Sequence, residues 1–319
     1  MNARILTTAT LFTVFAGGLT ARAADSQLVG LVMPDAKVIA GVNVDQAKAS
    51  PFGQYVLTQM QSTDLQQMTA LTGFDPTRDV HELLVASSGP TGQHDNGLAV
   101  ARGNFDISRI TAAATAHGAT TESYNGVTII VDPKKTHGLA FLDSTLVVAG
   151  DLANVKAAID RPKTGSSIPT ALAVQVDQWS NAQDAWVISA VPPYTLHPPS
   201  TAVGIPGVGP NAQNAFGKIE QAAAGVKFGA LVVVTAQAQA DTPQDATTMG
   251  DALKLLSNLA LMQAGQQNPQ LAALVQSLSV TTQGNLLKVT FSLPEDQLQQ
   301  LVKPPHQSHI EHRPAVRHM

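Results

Sequence analysis

No cysteine occurs anywhere in the 319 residues, and charged residues make up only 13% of them. The first absence excludes disulfides, thiolate metal sites and lipid attachment to a cysteine, so burial alone must hold any folded domain together. The second lies well under the roughly 25% of an average soluble domain. Gln, Thr, Ser and Asn are left to supply the polar surface. The formal charge is −4, from 19 Lys and Arg against 23 Asp and Glu, with no basic cluster. That gives no electrostatic footprint for nucleic acid, and no nucleic-acid partner is expected. Long apolar runs are missing too, since outside the amino terminus no segment is apolar for the roughly 20 residues a membrane helix requires.

The amino terminus reads as a secretion signal over residues 1–23. Arg4 is followed by an uncharged, mostly apolar run from Ile5 to Leu19 and then by Ala21-Arg22-Ala23, which has small residues where a signal peptidase reads before its cut. As a helix that run would reach only about 22 Å, against a hydrocarbon core of about 30 Å. The expectation is cleavage after Ala23, export to the periplasm or the medium, and no membrane span once the signal is gone.

Periodicity divides the rest into two loosely similar halves, residues 24–170 and 171–302. Lys37 to Val44 alternates as a strand, and Ser50 with Pro51 opens a helix carrying Phe52, Tyr55 and Val56. Strands are expected over Glu82 to Ser87 and Gly97 to Gly103, then a helix capped by Asp106 and closed at His117-Gly118. Three more strands, Val127 to Val131, Gly138 to Leu142 and Thr145 to Ala149, lead to a short helix capped by Asp151 and ended by Pro162.

In the second half Trp186 to Ala190 reads as a strand, Asn214 to Ala224 as a helix and Gly229 to Ala238 as a strand. Thr242-Pro243 opens a long helix with Ala246, Met249, Leu253, Leu256 and Ala260 on one stripe, and Asn268-Pro269 starts another. A hairpin turns at Gly284-Asn285 into a strand whose Leu287, Val289, Phe291 and Leu293 face a core. Hairpins between helices predict an α+β fold of mostly antiparallel sheets with helices packed on one face.

Several turn and cap segments resemble a family. Gly73-Phe74-Asp75-Pro76 with Asp79, Gly103-Asn104-Phe105-Asp106, Tyr124-Asn125-Gly126-Val127 and Leu142-Asp143 followed by Val148-Ala149-Gly150-Asp151 are similar to exported bacterial proteins known only as a domain of unknown function. The resemblance spans most of the mature chain and implies no activity.

Candidate chemistry is sparse. His81-Glu82-Leu83-Leu84-Val85 begins like a zincin helix but has Val where the second histidine must stand. Gly204-Ile205-Pro206-Gly207-Val208-Gly209 has a proline inside it, another at 210, and no Lys-Ser/Thr after it, so it fails as a phosphate loop. The acidic sets Asp75, Asp79, Glu82 and Asp241, Asp245, Asp251 fit caps and turns, and no Ser lies in a Gly-x-Ser-x-Gly elbow. No cofactor site is recognised. Two features remain. A His/Pro-rich tail, residues 303–319, is expected to be disordered, and its His306, His309 and His312 are candidate ligands for a divalent metal. A Pro/Gly-rich loop, residues 192–210, keeps Tyr194, Leu196, Val203, Ile205 and Val208 as candidate contacts for another envelope protein or polymer. The functional expectation is binding or assembly, with a secreted hydrolase of loop-built site as the alternative.

Overall fold

The computed structural model describes residues 24–59, 63–89, 97–165, 167–192, 216–264 and 269–297. The first half runs α1 (Ser26–Gly30), β1 (Val38–Asn43), α2 (Val44–Ala49), α3 (Pro51–Gln59), α4 (Thr63–Thr72), α5 (Pro76–Asp79), β2 (Val80–Ser87), β3 (Gly97–Gly103), α6 (Ile107–Ala116), β4 (Thr120–Tyr124), β5 (Val127–Val131), β6 (His137–Asp143), β7 (Leu146–Asp151) and α7 (Leu152–Thr164). Then follow α8 (Thr170–Ala182), β8 (Ala185–Ser189), β9 (Ile219–Lys227), β10 (Leu231–Ala240), α9 (Pro243–Ala264), α10 (Pro269–Gln276), β11 (Ser279–Gln283) and β12 (Leu286–Pro294).

The twelve strands of the described residues join one antiparallel sheet in the order β11-β12-β10-β9-β8-β1-β2-β3-β7-β6-β5-β4. The fold is therefore α+β, and the two halves share a single sheet through the pairing of β1 with β8. Around that seam the connectivity mirrors itself. In each half a three-stranded meander (β1-β2-β3 or β8-β9-β10) passes into helix, and a second antiparallel unit, the meander β4 to β7 or the hairpin β11-β12, brings its last strand back beside the third.

Paired residues share a face of a sheet and neighbours along a strand alternate, so the registers sort the core. Ile39, Leu84, Val100, Val148, Trp186 and Ile188 lie on one face, under Leu28, Leu31 and Met33 at and just after α1, Val155 and Ile159 of α7, and Val176 and Trp179 of α8. Most of the buried core is here, and each fully buried Leu or Ile in it contributes roughly 1.5–3 kcal/mol. The opposite face carries Ala101 and Val147 beneath Val44 of α2, Phe105 and Ile107 at the start of α6. Over the far strands the same opposite face meets α9, where Ala246 and Met249 pack on Leu287 with Val280 and Val289.

Local signals act as expected at most boundaries. Ser50 Oγ accepts from Gly53 N at 2.8 Å, Asp106 Oδ1 from Arg109 N at 3.0 Å, and Thr242 Oγ1 from Asp245 N at 3.1 Å, so each satisfies an amide the helix leaves unpaired. Asn125 (φ 50°) and Gly126 (φ 86°) form the two-residue turn joining β4 to β5, a conformation that Asn-Gly tolerates best.

Three expectations are corrected. Ile219 to Ala224 belongs to β9, not to a helix: its alanines favour a helix in isolation, but β8 and β10 on either side claim every ladder bond. Pro162 does not end α7, which continues to Thr164 and stops at Gly165 in the left-handed region (φ 66°). Asp151 stands at the start of α7 without a side-chain capping bond.

Candidate functional site

Helices cover each face of the sheet only in part, and concavities remain among the described residues. The first is an apolar trough of about 290 Å³ on the face that carries α9. Two rows of paired residues make its floor: Val187, Ala224, Ala236 and Val289 in one, Ser189, Ala222, Ala238 and Leu287 in the other. Val85 and Val187 are 43% and 39% exposed on this face. The trough is shaped by alanines and contains almost nothing that could orient a ligand.

The second, of about 240 Å³, is polar and is where two of the recognised sequence segments meet. Gly73, Phe74 and Asp79 come from one segment, Asn104 and Asp106 from the other, and the Phe74 and Phe105 rings lie 5.7 Å apart beside them. Their polar groups are mostly engaged inside the protein. Asp79 accepts from Arg78 Nε at 2.6 Å, from Arg78 Nη2 at 2.7 Å and from Asp75 N at 2.8 Å. Those hydrogen bonds, that of the Arg78 guanidinium foremost, hold its carboxyl below the usual range. Asp75 caps α5, Asp106 caps α6, and Asn104 N donates to Asp79 O at 2.8 Å. A Cβ at Gly103 would fall 2.3 Å from Asp79 O, which is why this junction takes glycine. The cluster is a knot that fastens α5 and β2 to β3 and α6.

Beside it His81 Nδ1 lies 3.0 Å from Asp45 Oδ2, and its Nε2 lies 3.1 Å from Asn104 Nδ2. The amide nitrogen can only donate, which places the ring proton on Nδ1 toward the carboxylate. In that arrangement Nε2, the nitrogen a general base would use, is already hydrogen-bonded. The zincin-like start therefore forms the beginning of β2 and a surface hydrogen-bond chain. Among the described residues no three His, Asp or Glu side chains gather as a metal-ligand set.

The third concavity, about 280 Å³, lies on the other face of the far strands and is lined by Gln175, Gln178 and Trp179 of α8, Gln221, Ala222 and Ala223 of β9, Gln237 and Gln239 of β10, and Leu286 of β12. Register explains the array. Gln221 pairs with Gln239 and Ala223 with Gln237, while Gln239 pairs in turn with Leu286. Gln221 and Gln239 thus stand side by side about 4.8 Å apart on neighbouring strands, with Gln237 two residues along β10 on the same face. One internal bond joins them, Gln175 Nε2 to Gln221 Oε1 at 3.1 Å. The side chains of Gln178, Gln237 and Gln239 make no hydrogen bond among the described residues, although Gln237 and Gln239 are half-buried. No charged residue lines the groove. Just beyond it, Gln183 packs over Gly225, and its buried Oε1 also accepts nothing among the described residues.

Of the candidates from sequence, Asp79 lines the second concavity. Tyr194, Leu196, Val203, Ile205 and Val208, and His306, His309 and His312, lie outside the described residues. Sequence reasoning missed the amide groove, although Ala236-Gln237-Ala238-Gln239-Ala240 carries the period of a strand with one amide face. Among the described residues no helix is long and apolar enough to cross a membrane.

No family model and no curated protein matches the chain. Solved structures with a similar fold include crystal form III of TP0453, with TM-score 0.53 and 8% identity over 86% of this chain and 96% of that one. Crystal form I of TP0453 matches with TM-score 0.50 and 6% identity over the same shares. At such identities the likeness is one of fold.

Proposed function

We propose that this chain is an exported, non-catalytic binding protein of the bacterial envelope that holds an uncharged, hydrogen-bonding ligand in the glutamine-lined groove. The observation that carries the reading is the contrast in hydrogen-bond use. In the pocket beneath α6 the polar side chains of the recognised segments serve turns, caps and ion pairs. In the groove Gln237 and Gln239 are half-buried without a partner among the described residues. Half-buried amides keep both donor and acceptor capacity, and a protein that exposes several in one concavity offers a surface that a ligand can satisfy. The leader-like amino terminus supports export, and the resemblance to exported proteins of unknown function agrees with it.

Equilibrium binding to isolated cell-wall polymer, envelope protein and lipid fractions tests the reading. Saturable binding to one fraction is expected, and Gln237→Ala combined with Gln239→Ala should abolish it while leaving the melting temperature unchanged. Binding that ignores the double substitution would place the function elsewhere.

A further inference from the structure

Taking the groove as the ligand site, we infer that it takes a neutral glycan. The lining offers five carboxamides, each with two N–H donors and a carbonyl acceptor, and no charged group. A phosphate or carboxylate ligand would call for Arg or Lys in the groove. A sugar presents hydroxyls that are themselves both donor and acceptor, and these match amides without a fixed polarity. Between the hydroxyls a pyranose has apolar C–H faces, and the groove supplies Trp179, Leu286 and Ala223 for them.

Position argues against an extended peptide. Strand addition needs a sheet edge with free main-chain groups, whereas this groove lies on the sheet surface. The main chains of β9, β10 and β12 are consumed there in their own ladders. Recognition therefore falls to side chains, whose rows run across the strands from Gln221 to Gln239 to Leu286 and from Ala223 to Gln237 to Lys288, the last an exposed residue outside the groove lining. A linear oligosaccharide laid across β9 and β10 would meet the amides of Gln221, Gln239 and Gln237, with Leu286 of β12 offering an apolar contact beyond them.

Isothermal titration of the purified mature protein with chitotetraose, cellotetraose and an uncharged Gln/Ser peptide decides the matter. At least one oligosaccharide should bind more tightly than about 1 mM, typical of a weak single site. Gln237→Ala with Gln239→Ala should weaken it tenfold or more, with the melting temperature preserved as the control for folding. A conservative Gln239→Asn should recover part of the affinity. Peptide binding lost on the double substitution, without sugar binding, would overturn the glycan assignment and leave the groove as the ligand site. No binding of either probe would overturn the glycan assignment, and the fraction-binding experiment would then decide whether the groove binds anything.

Discussion

Trp186 lies across Gly41 at the seam of the sheet. The two are directly paired on β8 and β1, and a Cβ added at Gly41 would sit 2.5 Å from the indole ring, with Leu84 2.8 Å away on the other side. No rotamer change of a single flexible end relieves that contact, because Trp186 and Leu84 are both buried. Gly41→Ala should therefore cost about 3 kcal/mol through overpacking. Gly97→Ala, where nothing lies within 4 Å of the added Cβ, should stay within about 0.5 kcal/mol. Urea denaturation of the two variants checks the pair, and equal midpoints would contradict the packing described at the seam.

Asp184 ties the end of α8 to β9. It is 4% exposed, with Oδ1 accepting from Lys227 Nζ at 2.6 Å and Oδ2 from Phe228 N at 2.7 Å. Asp184→Ala strands a backbone amide and should cost about 2 kcal/mol. Lys227→Met should cost under about 1 kcal/mol, because the Lys227 side chain is 42% exposed and water screens its charge. Denaturation midpoints that rank the two in the opposite order would refute this assignment.

Acid should weaken the fold in a defined direction. The carboxyls of Asp79 and Asp143 are depressed, the first chiefly by its bond to Arg78 and the second by the Thr145 hydroxyl. A depressed folded-state pKa stabilises above the unfolded value of roughly 3.9 and is lost as pH falls through the folded value. Stability measured by urea should thus be level from neutral pH to about 5 and then fall below about 4. Asp79→Asn should lower stability at neutral pH and flatten the acid slope. A slope as steep as that of the parent would show that Asp79 does not contribute.

On β12 the alternation separates core from surface. Leu287 is buried against α9, whereas Lys288 is exposed on the opposite face. Leu287→Asp should destabilise by several kcal/mol by burying an unpaired charge, and Lys288→Gln should be nearly neutral. Thermal melts read the difference directly, and equal losses would mean the strand is assigned to the wrong register.

Where a local signal and the tertiary environment agree, the elements were legible in the sequence. The stripe from Ala246 to Leu253, the Thr242 cap and the Leu287 to Leu293 alternation all describe structures that form by the rule they display. β4, Thr-Thr-Glu-Ser-Tyr, was missed because it has little apolar character and exists as an edge strand only through pairing with β5. α8 was missed although Leu172, Val176 and Trp179 recur at helical spacing, since Pro169 at its start provides no capping side chain. The helix expected over Asn214 to Ala224 reflects alanine propensity, which strand pairing overrides. The groove was out of reach for a different reason. Its five glutamines come from α8, β9 and β10, up to 64 residues apart in the numbering, from Gln175 to Gln239, and only the β9 and β10 register and the placement of α8 bring them together.

The central claim, that ligand is bound on the amide face rather than in the alanine-floored trough behind it, is tested most directly by nuclear magnetic resonance of side-chain amides during titration with solubilised cell-wall fragments. The account predicts that the NH₂ signals of Gln178, Gln237 and Gln239 shift together and saturably. The backbone signals of Val187 and Ala236, on the trough side, should barely move. Shifts concentrated at Val187 and Ala236, with the three glutamine signals unmoved, would contradict it.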